Sequence, residues 1–151
     1  MTRTLTCIIL LALTASACSQ VKTDVPDNPA AKATQAIVEE YIQAYETYDI
    51  SRCAELFSAD AWYGDMSNEF ETTGNLNIAS ALREEIVLDT FRVKFQSYLV
   101  TVDGRFAVIQ AIYSHRNFPE EPWDSAPYII ILEIKDGKII RETLYTSKLI
   151  F

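Results

Sequence analysis

Side chains able to do chemistry unaided are sparse in this chain of 151 residues. His115, the single histidine, is of the residue type that could supply a proton at neutral pH. It stands beside Arg116 and Asn117 at the end of a β-branched and aromatic run, with no evident partner, which suits a loop or a pocket rim. Cys53 has apolar neighbours in a helical pattern and reads as a buried, inert thiol rather than a nucleophile. No Cys-x-x-Cys pair or Cys/His cluster occurs, so the sequence offers no zinc-type ligand set. Nothing in it calls for a metal, a nucleotide or a flavin, and no cofactor is expected. Asp65, directly after Gly64, is on local grounds a turn carboxylate.

The N-terminus sets the compartment. Arg3 precedes the apolar run Leu5 to Leu13 and then Ala15, Ser16 and Ala17, the pattern of a secretory signal peptide over residues 1–17. The run falls short of the roughly 20 apolar residues a membrane-spanning helix needs. Small residues directly before Cys18 resemble the lipobox of bacterial lipoproteins, which implies that Cys18 becomes the first mature residue and carries a lipid. Ala15 stands where that motif usually has Leu, so ordinary cleavage after Ala17 is the alternative. By analogy, Ser19 beside Cys18 implies the periplasmic face of the outer membrane in a Gram-negative cell. With Cys7 removed and Cys18 acylated, Cys53 has no partner for an internal disulfide. The formal charge of −8 becomes about −9 once Arg3 leaves with the signal, and no basic stripe is present, which argues against a nucleic-acid partner.

The rest of the chain must supply the frame. Residues 18–30 are polar, include Pro26 and Asp27, and read as a flexible tether before a domain over 31–151. Asn28-Pro29 looks like a cap and first turn for a helix carrying Ile37, Tyr41, Ala44 or Tyr45, and Tyr48 at helical spacing. A second helix is expected to carry Cys53, Leu56 and Phe57 and to end near Ala59 or Asp60. A short strand, Ala61 to Tyr63, stops at Gly64. A third helix follows Gly74, with Ile78, Leu82 and Ile86 spaced by four. The period then changes to two: Phe91, Val93 and Phe95 alternate with polar residues, and Phe106 to Tyr113 and Tyr128 to Ile134 read as further strands. Asp136-Gly137 between apolar runs signals a hairpin into a last strand from Lys138 to about Leu149. Glu133 and Glu142 are expected on outward faces of their strands. Trp123, in a Pro-rich loop, is either a lid or an anchor. The fold class is α+β: about three helices on a curved antiparallel sheet of about four long strands.

This order resembles the NTF2-like superfamily, which includes SnoaL-like and ketosteroid-isomerase-like domains, over about residues 33 to 151. The landmarks are the helix around Tyr41 running into Asp49-Ile50, the segment from Leu56 to Ala61, Gly74 with Ile78, and Asp136-Gly137-Lys138-Ile139 with Tyr145. The resemblance implies a cone whose sheet and helices enclose an apolar pocket, lined here by Trp62, Tyr63, Phe95, Tyr113, His115 and Tyr128, though such aromatics also simply fill cores. It further implies a homodimer through the sheet face. Compared with ketosteroid isomerases, Tyr41 falls at the oxyanion-hole tyrosine and Asp65 at the catalytic base. A carboxylate in an apolar cavity can lift a proton beside a carbonyl while a phenol stabilises the enolate. The second acid of those enzymes is replaced by Ile130, and the terminal Tyr-x-Asp of many SnoaL-like proteins by Tyr145-Thr146-Ser147. The leading expectation is thus an envelope-tethered binding protein for a small apolar or aromatic molecule. The alternatives are a cofactor-free isomerase, cyclase or dehydratase using Asp65 and Tyr41, and an accessory lipoprotein that captures protein partners. Fold alone does not choose among them.

Overall fold

The computed structural model describes residues 21–87, 91–116, 118, 120 and 122–146. Residues 1–17, expected to form a signal peptide, and Cys18 lie outside the described residues. The elements run β1 (Lys22–Asp24), α1 (Pro29–Glu46), α2 (Ile50–Glu55), β2 (Phe57–Asp65), β3 (Phe70–Thr73), α3 (Asn75–Val87), β4 (Phe91–Val100), β5 (Phe106–His115), β6 (Asp124–Lys135) and β7 (Lys138–Thr146). The strands form one mixed sheet in the order β1-β4-β5-β6-β7-β2-β3.

The α+β class expected from sequence is the one observed, but the sheet has seven strands where about four long ones were expected, and it is mixed rather than antiparallel because β1 runs parallel to β4 and β2 parallel to β7. β1 and β3 are too short to give a periodic signal, and β1 falls inside the stretch expected to be tether. It pairs in parallel with β4, Lys22 opposite Ser97 and Asp24 opposite Leu99. Val21 and Val25 on either side of it pack against the core, and this burial holds the stretch in place.

α1 begins as its sequence dictates. The Asn28 side chain accepts from Ala31 N, and Pro29 occupies the first turn where its missing N–H costs nothing. Thr34, Val38, Tyr41 and Tyr45 form its buried stripe. Its first turn sits on the β4–β5 connection, where Gly104 has φ +68° and a Cβ would come within 2.6 Å of Ala30 backbone. Thr34 Oγ1 donates to the Gly104 carbonyl, fastening the two.

α2 ends earlier than its apolar pattern suggested. Leu56 already caps it, and its carbonyl accepts from Ile139 N at 2.9 Å, so Phe57 starts a strand beside β7 rather than a further helical turn. Long-range pairing overrides local periodicity here. The Asp136-Gly137 hairpin forms as expected, both residues at positive φ (51° and 74°).

Candidate functional site

The site grows out of the sheet's inner face, where residues pair in rows across the strands. One row runs Val100, Ala107, Leu132, Glu142, Tyr63; the next runs Tyr98, Ile109, Ile130, Leu144, Asp65. Further along, Phe95, Ala111 and Tyr128 are followed by Val93, Tyr113 and Ala126. The rows therefore become more aromatic toward one end, where β4 begins and β2 and β7 finish.

Glu142 is the residue that sequence reading misplaced. Expected outward, it is wholly buried. The cause is an irregularity in the β6–β7 ladder: Ile134 pairs with Ile139 but Glu133 pairs with Arg141, which leaves Ile140 as an extra residue. One extra residue flips the faces of everything after it. Arg141 therefore faces out, and Glu142 faces in beside Leu132 and Tyr63. Glu133 does face outward as expected, 2.7 Å from Arg105.

Tyr41 meets Glu142 from the helix side. Its hydroxyl donates to Glu142 Oε1 at 2.7 Å, and its ring packs on Tyr45 (4.8 Å between centroids) and Phe95 (6.5 Å). Burial first, then the neighbouring Glu142 carboxylate, pushes the Tyr41 hydroxyl well above its ordinary range. The same two causes, with Asp49 as a third, raise the Cys53 thiol, which keeps it protonated and unreactive at neutral pH.

Asp65 is on the same face one row along, but its carboxylate is engaged elsewhere. Oδ1 accepts from Ser67 N at 2.9 Å and Asn68 N at 3.3 Å, and Oδ2 from Asn68 Nδ2 at 2.7 Å. The Ser67 hydroxyl in turn donates to the Thr146 carbonyl and accepts from Thr146 N, so Asp65 closes the β2–β3 turn against β7. The structure thus joins Tyr41 to Glu142 and not to Asp65.

Of the other residues expected to line a pocket, Tyr63, Phe95 and Tyr128 lie buried on the inner face, and Tyr113 is half-buried with its ring 5.5 Å from that of Tyr128. Trp62 does not. Strand alternation turns it to the outer face, where its ring covers Gly64 and Arg141 stacks over it at 4.4 Å. His115 ends β5 opposite Asp124, and its side chain lies outside the described residues. Trp123 is held between the Arg92 and Arg116 guanidinium groups, at 4.1 and 4.5 Å, so it anchors its loop to β4 and β5. A separate cleft of about 350 Å³ lies between β1 and α1, lined by Val21, Glu39, Ile42, Glu46 and Tyr98 among others. Among the described residues, no group of three or more His, Cys, Asp or Glu converges as a metal ion would require.

Comparison with known proteins places this geometry. The family described as SnoaL-like domain matches residues 38–142. An NTF2-like protein of unknown function from Mesorhizobium loti superposes with TM-score 0.70 at 14% identity, covering 85% of this chain and all of that one. An LEH-like epoxide hydrolase of M. tuberculosis gives 0.63 at 18% identity, covering 77% of this chain and 84% of that chain. A protein with a ketosteroid isomerase-like fold from Catenulispora acidiphila, solved with trimethylamine, gives 0.62 at 19%, covering 72% and 83%. Identities this low speak to fold alone. No curated protein sequence matches.

Proposed function

The chain belongs to the SnoaL-like domain family, and from that premise we propose that it binds a small apolar or aromatic molecule on the inner face of its sheet. The observation that carries the reading is the inner face itself. It packs buried aromatics, Tyr63, Phe95 and Tyr128, and half-buried Tyr113 around one buried polar pair, Tyr41–Glu142, and a ligand entering among them would be oriented by that pair. In this reading the protein is exported, anchored through a lipid on Cys18 to the periplasmic face of the outer membrane, and paired as a homodimer through the outer face, where Val108, Ile129 and Ile131 are half-buried. The test is a calorimetric screen of planar aromatic ketones and phenols with Tyr128→Ala as control. Saturable binding that weakens in the variant supports the reading; no heat from any compound sinks it.

A second reading is favoured by the Tyr41–Glu142 bond. Proton transfer beside a carbonyl needs a carboxylate and a phenol that converge, and Glu142 meets Tyr41 where Asp65 does not. An isomerase, cyclase or dehydratase of this kind would therefore use Glu142 as its base. Deuterium exchange at the α-carbon of a bound ketone, lost in Glu142→Gln even at ketone concentrations that saturate the variant's weaker site, would establish it. Exchange that survives the substitution would exclude it.

A further inference from the structure

We propose that the aromatic end of this domain rests on the membrane that holds its lipid, so that its ligand is a membrane-resident apolar molecule; this rests on the anchored, ligand-binding reading above. Two separate observations point there. The first is the direction of β1. Residues from Val21 to the α1 cap are fixed: Val21 and Val25 pack on the core, Lys22 to Asp24 pair with β4, and Asn28 Nδ2 donates to the Val102 carbonyl at 3.0 Å. Only Ser19 and Gln20 then separate Cys18 from Val21. A free tether of 12 residues would give a reach of about 20 Å, whereas the three steps left span at most about 11 Å. Because β1 is parallel to β4 and its first residue sits opposite Ser97, the N-terminal end of β1 points toward the side where β4 begins. That is the end carrying Val93, Tyr113 and Tyr128.

The second observation is what that end exposes. Met66 follows the last residue of β2, Phe70 pairs with Asp65, Phe118 lies in the β5–β6 connection, and Tyr145 is the last residue but one of β7. All are large apolar side chains left 41–59% exposed. Trp123, flanked by Arg92 and Arg116, joins them. Aromatic residues bordered by arginine suit the interface between headgroups and acyl chains. Glu69, Glu120 and Asp124 at the same end keep the rim from being a basic patch, so the contact is apolar and aromatic rather than electrostatic. Among the described residues no helix is long and apolar enough to cross a membrane.

The chain contains two tryptophans, and Trp62→Phe leaves Trp123 as the reporter. The full-length variant is purified from the membranes of a Gram-negative host and reconstituted in vesicles of phosphatidylethanolamine and phosphatidylglycerol, with or without brominated acyl chains. The expected result is loss of Trp123 emission in the brominated vesicles with a blue-shifted maximum, both diminished by Met66→Ser with Phe118→Ser. Equal emission in the two vesicle types, on protein whose intact mass shows acylated Cys18, overturns the membrane contact and leaves the anchor standing. An unacylated mass overturns both, and the ketone titration tests the pocket separately in detergent.

Discussion

Two tyrosine–carboxylate bonds stitch α1 to the sheet, and they are built in opposite senses. Inside, helix Tyr41 donates to strand Glu142; at the flank, strand Tyr98 donates to helix Glu39 at 2.8 Å. The chemistry is the same and the surroundings differ. Both oxygens of the inner bond belong to residues with no exposed surface, whereas Glu39 is solvated and lies at the edge of the β1–α1 cleft. The difference teaches that a bond of one kind can be a site in one place and a clasp in another, because desolvation sets what its loss costs.

The comparison is broken most directly at Glu142. Glu142→Ala would leave a buried phenol without its acceptor and a void beside Leu132, and should cost about 3 kcal/mol in urea unfolding. Glu142→Gln keeps an acceptor oxygen and should lose far less; equal losses would mean that volume, not the bond, is what matters. Tyr41→Phe deletes the donor to a buried carboxyl and should cost about 2 kcal/mol, while Tyr98→Phe, whose partner turns to water, should cost less than about 1 kcal/mol. Similar losses in the two variants would erase the distinction between site and clasp.

Alkaline titration sharpens the flank half. Burial and then the hydrogen bond to Glu39 push the Tyr98 hydroxyl from its ordinary 10.0 to about 12. A proton held more tightly in the folded chain stabilises it fully below the unfolded value. That stability is lost as pH climbs from 10 through about 12. Unfolding midpoints should therefore fall across this window, and fall less steeply in Tyr98→Phe. A wild-type decline that the substitution leaves unchanged would assign the effect to other tyrosines.

Much of this frame was legible because its signals are local. The Asn28-Pro29 start of α1, the alternation in β4 to β6, and the Asp136-Gly137 hairpin each depend on a few adjacent residues. What escaped depends on distant ones. Glu142 sits in a strand whose faces invert at Ile140, and neither of its sequence neighbours, Arg141 and Thr143, announces the irregularity. β1 is a strand because β4 and the core receive it, not because Lys22-Thr23-Asp24 favours one. Asp65 shows the reverse case. The local reading, an acid after a glycine closing a turn, describes its hydrogen bonds, while the role carried by family resemblance calls for a partner that the structure gives to Glu142.

That contrast yields the smallest effect expected here. Asp65→Ala removes the acceptor for two turn amides and for Asn68, all near solvent that can replace it, and should destabilise by about 1 kcal/mol or less, in line with other side-chain caps. Because Ser67 still bonds Thr146, the β2–β3 turn should stay on β7. Ligand affinity should remain at the wild-type value, while Glu142→Gln changes it. If the order is reversed, with Asp65→Ala abolishing binding of an aromatic ketone and Glu142→Gln leaving it intact, the carboxylate that matters is the one at the turn. Asp65 would then have to leave its turn when ligand arrives, and the buried pair would be only a fastening of helix to sheet.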